Sequence, residues 1–347
     1  KRDPVILYEK QLIKDKDFSK NDIKLIENKI NLIIEEAVKF ALNAKNPSSN
    51  IESELNDIFY EPQYQNYQPS LKTSKMRFID SIKSAMDNKL ENDGKVIVMG
   101  QDIAEYGGVF KSTEGFVDKY GKERIRNTPI IESGIIGAAL GLSIGGYKPV
   151  VEMQFSDFIS CGFNQLVNNV AKTYYRWNQP INITLRMPCG GSIAAGPFHS
   201  QTTESWFLHV PGLKIVYPSN PIDAKGLLVS AIDDPNPVLF FEHKALYRSI
   251  ENEVPVDCYS LSIGKAKVVS KGTDLTIVTY GLGVIWATNI QDNLEDQGYS
   301  IEIIDLVSLI PWDSELVLSS LAKTNRLLIL HEANITGGVG SEISAYI

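Results

Sequence analysis

A carboxylate stands at the mouth of a glycine-stepped segment, Asn127-Thr-Pro-Ile-Ile-Glu132-Ser-Gly134-Ile-Ile-Gly137. Glu132 falls where a strand or loop gives way to a helix opened by small residues. Type and position leave two readings open: a carboxyl that handles a proton, or an N-terminal carboxylate favoured by the helix dipole. Beyond it Gly137, Gly141 and Gly145 recur four apart. Glycine inside a helix costs about 1 kcal/mol relative to alanine, so the spacing predicts close backbone approach. The neighbour is either another helix or subunit, or tight packing within one domain. A dinucleotide fingerprint is not matched, because the order strand, glycines, helix, acid is missing. A second candidate is His199, in a loop after Gly196-Pro197 and before Ser200. A loop histidine can donate a proton near neutral pH; the alternative is a turn-stabilising or exposed residue. His209, His243 and His331 read as structural.

The elements that would position these groups follow from pattern. Asp3-Pro4 is a good helix start, and a longer helix is predicted over 21–43, with Ile23, Ile26, Ile30, Ile33, Ile34, Ala37 and Ala41 at helical spacing. Ser19 and Asp22 resemble a capping box. Asn46–Asn50 is a breaker cluster, and Tyr60–Ser70 reads as a linker. From Lys75 the texture changes to short apolar runs at 95–99, 149–153, 181–186, 214–217 and 238–241, then 275–280, 301–306 and 326–330. Such Val- and Ile-rich runs suit parallel strands buried on both faces. After His331 a glycine turn leads into the start of a helix.

Composition bounds the function. The 347 residues carry a net charge of −8, against a nucleic-acid binder. No run of about 18 apolar residues suggests a membrane span, and the first residues lack the order of a signal peptide. Cys161, Cys189 and Cys258 have neither metal-type spacing nor an even count. A reduced, soluble, intracellular protein is expected.

A set of motifs then appears in one order. It comprises Gly100-Gln-Asp-Ile-Ala-Glu, Gly107-Gly-Val-Phe, Tyr120-Gly-Lys-Glu-Arg, Glu132-Ser-Gly, Glu152-Met-Gln-Phe, Asp157-Phe158, Phe198-His-Ser-Gln, Pro211-Gly-Leu-Lys, Ile310-Pro-Trp-Asp and His331-Glu-Ala. From about Met76 onward the chain resembles the beta subunit of thiamine-diphosphate-dependent 2-oxoacid dehydrogenases, the decarboxylating component. Phe240-Phe-Glu242 and Leu246-Tyr-Arg248 lean toward the branched-chain, 2-oxoisovalerate type. Residues 1–62 resemble the C-terminal tail of the alpha subunit, as in a fused alpha–beta form whose front part is absent. The resemblance implies an α/β fold: a pyrimidine-type thiamine-diphosphate domain with a mostly parallel sheet and helices on both faces, plus a transketolase C-terminal-like α/β domain. The expected bounds are a helical extension at 1–66, a linker at 67–74, the pyrimidine domain at 75–254 and a truncated C-terminal domain at 255–347.

What the resemblance implies for single residues is more specific. Glu132 would contact the aminopyrimidine ring and favour its imino tautomer; Phe158 would stack on that ring; Gln154 and Ile130 would line the cofactor. His199 would serve the intermediate and acyl transfer to a lipoyl group. Ile181, Ile183, Thr184, Ala231, Asp234 and Asn236 match a structural potassium site, although Asp234-Pro-Asn-Pro is also an ordinary turn. No Gly-Asp-Gly occurs, so the magnesium ligands are expected in an alpha-type domain, without which the chain would not catalyse. The expected partners are that domain and a lipoyl-bearing acyltransferase, within a homo- or hetero-oligomer. A bacterial cytoplasm is the expected location, with the mitochondrial matrix as alternative. Rival readings are pyruvate or acetoin as substrate, a transketolase or deoxyxylulose-phosphate synthase, and a non-catalytic docking module. Glu132, Phe158 and His199 together weigh against the last, since docking needs none of them.

Overall fold

The computed structural model describes residues 3–61 and 67–347 and divides the chain into two compact units, 1–54 and 55–347. Part of the expected linker, residues 62–66, lies outside the described residues. In the first unit Asp3 caps the Pro4–Lys14 helix by accepting the Val5 N–H. Ser19 and Asp22 close a reciprocal capping box on the Lys20–Asn43 helix. That helix buries none of its residues, and Ile26, Ile30, Ile33 and Ile34 are all exposed.

The second unit carries thirteen strands among its described residues. They begin β1 (Thr73–Arg77), β2 (Val96–Gly100), β3 (Ile125–Asn127), β4 (Lys148–Glu152), β5 (Thr184–Cys189), β6 (Lys214–Val216) and β7 (Val238–His243). Next come β8 (Glu251–Pro255), β9 (Lys267–Ser270), β10 (Leu275–Thr279), β11 (Ile301–Asp305), β12 (Ser308–Ile310) and β13 (Leu327–Leu330). A seven-stranded sheet runs β12-β6-β7-β5-β4-β2-β3, parallel except for β12. A four-stranded sheet runs β13-β10-β11-β9, with β9 antiparallel, and β1 pairs with β8.

The strands form because their apolar side chains find cores on both faces. Val98, Val150 and Phe240 point into one core with Phe78, Ile82, Met86, Leu227 and Ile232 of two flanking helices. Met99, Val151, Leu239 and Phe241 point into the other, with Ile135, Ile136 and Ala139. This second core also takes Val278 and Ile304 of the smaller sheet, with Leu306 just past β11, so the two sheets share apolar packing.

The sequence places eight of the strands within a few residues. β5 is displaced furthest, beginning at Thr184 rather than Ile181 and running through Pro188 to Cys189. Pro188 is tolerated because the β4 ladder has already ended at Arg186. β1, β3, β8, β9 and β12 carry no period-2 apolar signal and form through non-local pairing.

One polar group lies at the centre of this hydrophobic sheet. Arg186 on β5 is 1% exposed and reaches Glu152 on β4 at 2.5 Å and Glu242 on β7 at 2.7 and 2.8 Å. Ser112 donates to Glu152 and Tyr247 to Glu242, each at 2.8 Å. Burial alone would disfavour the guanidinium charge, but Glu242 and Glu152 outweigh it and hold the group firmly protonated. Removing one partner of such a set leaves buried charge uncompensated. Arg186→Met is therefore expected to cost about 3–5 kcal/mol in urea unfolding followed by circular dichroism. A loss well under 1 kcal/mol would show that the two carboxyls neutralise without penalty.

Candidate active site at the carboxyl edge of the large sheet

β2 continues to β3 on one side, whereas β4, β5 and β7 follow on the other. Strand order therefore reverses between β2 and β4, and a crevice beyond the carboxyl ends at such a point is where α/β sheets bind ligands. Glu132 lies there as the first residue of the Glu132–Ile144 helix, half-buried. Gln101, one residue past β2, donates its amide to Glu132 Oε1 at 3.1 Å. Gln154, two residues past β4, donates to Asp102 at 3.3 Å. Asp102 takes a left-handed φ of 57°, a strained position for a non-glycine residue. The Gln101-Asp102 turn thus ties Glu132 and Gln154 together. In the sequence Gln101 and Asp102 stand only within a motif, and nothing in their types or spacing points to a role.

Phe158 and His199 meet at the same edge. Phe155, Phe158 and His199 form an edge-to-face trio, with His199 4.7 Å from Phe155 and 5.5 Å from Phe158. Lys244 Nζ stands 5.4 Å above Phe155. Neither Phe155 nor Lys244 was singled out, because each reads as ordinary core or surface from the chain alone. Helix Ile159–Asn164 reaches the Glu132 helix through Gly162, where a Cβ would overlap Ile136 and come within 3.4 Å of the Glu132 carbonyl. Ile130 lies two residues before Glu132 and is 84% exposed, enclosed by none of the described residues.

Residues 74–249 match the family described as transketolase, pyrimidine binding domain, and residues 264–347 match transketolase, C-terminal domain. The 2-oxoisovalerate dehydrogenase subunit beta of Bacillus subtilis is 44% identical over 278 residues, covering 79% of this chain and 84% of the relative. A mitochondrial 2-oxoisovalerate dehydrogenase subunit beta 2 of Arabidopsis thaliana is 44% identical over 275 residues, covering 78% and 76%. The pyruvate dehydrogenase E1 component subunit beta of Staphylococcus epidermidis is 39% identical over 274 residues, covering 78% and 84%. The chain belongs to the 2-oxoacid dehydrogenase beta-subunit family. A solved structure, a split gene transketolase described as an inactive beta4 tetramer, matches with a TM-score of 0.63 at 21% identity, covering 78% of this chain and 84% of that one. It supports the fold.

In this beta-subunit chain the glycine-stepped face is open. Among the described residues a Cβ at Gly141 would meet nothing within 4 Å, and one at Gly137 only the Gln165 side chain at 3.9 Å. Tight packing within the domain is therefore not what the spacing serves. Gly145 caps the helix rather than lying inside it. Of the six residues matched to potassium, Asp234 and Asn236 are hydrogen-bonded to each other. Asp234 accepts Lys214 Nζ at 2.6 Å and the Asn236 backbone and side chain at 2.9 and 2.8 Å. Asn236 in turn exchanges hydrogen bonds with the Tyr60 backbone. Thr184 Oγ1 is buried with no hydrogen-bond partner among the described residues, an orphaned oxygen that a bound cation could satisfy. Among the described residues no three His, Cys, Asp or Glu side chains cluster as metal ligands. No helix among them is long and apolar enough to cross a membrane.

Where the two sheets meet, Tyr280 donates to the buried Glu204 at 2.8 Å, and the other Glu204 oxygen has no partner among the described residues. Burial pushes the Glu204 carboxyl up to about 7, against the lowering effect of its hydrogen bonds. The folded chain then keeps a proton that the unfolded chain releases from its ordinary value of 4.5 upward, so stability falls as pH rises from about 4.5 to about 7. Buried Asp305, likewise raised to about 7, acts in the same direction. Glu204→Gln should shallow this decline, melting a few degrees above the parent at pH 8 and level with it near pH 4.5. Thermal melts across that range check this; identical slopes would show that Glu204 stays ionised.

Proposed function

We propose that this chain supplies the pyrimidine half of a thiamine diphosphate site in a dehydrogenase acting on a branched-chain 2-oxoacid, passing the acyl group to a lipoyl arm. The observation that carries the reading is the linked pair Glu132–Gln101 at the strand-reversal crevice, beside the Phe155–Phe158–His199 trio. The 44% identity to 2-oxoisovalerate dehydrogenase beta subunits supports the branched-chain preference.

Glu132 would share a proton with a pyrimidine ring nitrogen at its carboxylate, oriented by the Gln101 amide. Phe158 would cover the ring face, and Gln154 with Ile130 would border it. The bound cofactor supplies the carbanion-stabilising chemistry, while the protein sets its tautomer and orientation. His199, held edge-on to two phenylalanine rings, would hold or give a proton at an imidazole nitrogen beside the reacting carbon. Magnesium and the diphosphate fall to an alpha-type domain. Potassium fits the set of Ile181, Ile183, Thr184, Ala231, Asp234 and Asn236 as a structural ion. A lipoyl-bearing acyltransferase is the next partner. The cytoplasm is the assigned location, with the mitochondrial matrix for a eukaryotic source.

Co-expression with a complete alpha-type domain should yield thiamine-dependent decarboxylation that favours 2-oxoisovalerate over pyruvate and 2-oxoglutarate. A preference for pyruvate would overturn the substrate assignment. A stable complex inactive on all three would leave only a docking module. Glu132→Gln, which keeps the shape but cannot ionise, should lower turnover by about 100-fold or more with assembly intact on gel filtration. Unchanged turnover would remove Glu132 from the proton path.

A further inference from the structure

His199 sits on a loop whose neck is closed by the hydrogen bond from Gly190 N–H to the Gln201 carbonyl, 3.0 Å long. Besides Ser156, whose hydroxyl donates to the same Gln201 carbonyl at 3.3 Å, three side chains pin that neck. Asp157, buried directly before Phe158, accepts the Ser200 and Gln201 N–H groups at 3.2 Å each. Lys244 donates to the Gly190 carbonyl at 2.7 Å. Both of these belong to the large sheet's own edge. The third, Glu332, does not: it lies two residues past β13, on the smaller sheet.

Glu332 uses both oxygens. One accepts the Gly191 N–H at 2.7 Å, and the other meets His243 Nε2 in a short contact. The tautomer of His243 follows from its other nitrogen. The Ala245 N–H donates to Nδ1 at 3.2 Å, so Nε2 carries the hydrogen and donates to Glu332. Burial raises the Glu332 carboxyl, but the bonds from His243 and Gly191 outweigh it and hold it below the usual range. The charge-assisted geometry is thus satisfied on both sides. Gly190 completes the joint, with φ at 87° and a backbone so close to the His243 ring that any Cβ would overlap it.

We propose that Glu332 is a positioning residue for the His199 loop, fastening the Gly191 amide and the His243 ring to the smaller sheet so that the C-terminal region sets where His199 stands. The inference rests on the reading of His199 as the group that serves acyl transfer. A pocket of about 450 Å³ opens beside this joint, bordered by Ser200, Gln201, Trp206, Glu332 and Asn334, so Glu332 lies at the surface where the loop and the smaller sheet part.

Glu332→Gln is the discriminating variant. Its amide can still accept from Gly191, but its NH2 then faces the His243 Nε2–H, and the opposite tautomer would face the Ala245 N–H. On the chain assembled with its alpha-type partner, amides of residues 190–201 should exchange with deuterium about tenfold faster, with β5 and β7 unchanged. Unaltered loop exchange overturns the inference, and so does equal acceleration throughout the sheet, which would mark a purely structural role. Transfer to a free lipoyl domain should fall about tenfold, while decarboxylation coupled to ferricyanide stays within about twofold of the parent. Equal losses in both assays also overturn it. A parent enzyme inactive on every 2-oxoacid sinks the functional reading instead, and the exchange measurement still decides the loop claim.

Discussion

The large sheet is organised around one guanidinium that cannot leave water unless two carboxylates meet it. Arg186, Glu152 and Glu242 occupy three adjacent strands, and their contacts require β4, β5 and β7 to hold one register. A one-residue slip would turn each side chain to the opposite face and bury three separate charges. Hydrophobic packing drives the sheet together but tolerates sliding of Val past Ile; the charge set does not. Register in turn fixes where each strand ends. Gln154 follows Glu152 by two residues and His243 follows Glu242 by one, so the groups at the crevice inherit their places from an interaction one step below them.

This also changes the meaning of two segments. Phe240-Phe-Glu242 and Leu246-Tyr-Arg248 lean toward the branched-chain type in sequence, yet Glu242 spends its carboxylate on Arg186 and Tyr247 donates its hydroxyl to Glu242. Their side chains are fully buried beneath the sheet edge. Whatever they contribute to substrate choice must pass through the position of β7, since neither faces the crevice.

The parallel strands were legible because burial on both faces demands unbroken apolar runs, and the first unit's helices because caps and 3.6-residue spacing are local. The β1–β8 pair and β12 were not, since their partners lie more than ninety residues away in the chain and their own residues carry mixed polarity. At the site, Glu132, Phe158 and His199 were found through motifs, and the structure brings Phe158 and His199 into one ring cluster. Gln101 and Phe155 escaped because an amide after a strand and a phenylalanine among apolar neighbours look unexceptional until the fold aims them. Glu332 escaped for a stronger reason: its partners, Gly191 and His243, are distant in the chain and meet it only when the smaller sheet has docked.

A site built on this edge cannot close by itself. Ile130, Ile131 and Phe198 stand 84%, 52% and 71% exposed around Glu132 and His199, and the glycine-stepped face of the Glu132 helix meets little or nothing at Gly137 and Gly141. Water reaching Glu132 would weaken every electrostatic preference the crevice sets, because a carboxylate in high dielectric scarcely distinguishes one tautomer of a bound ring from another. Proton chemistry of the proposed kind therefore needs a second surface that covers these isoleucines and excludes solvent. The same surface would bring the phosphate-holding groups proposed for an alpha-type domain. Exposed apolar rim and open glycine helix are then two consequences of one proposed arrangement, in which the cofactor would be enclosed only when two polypeptide surfaces meet across it.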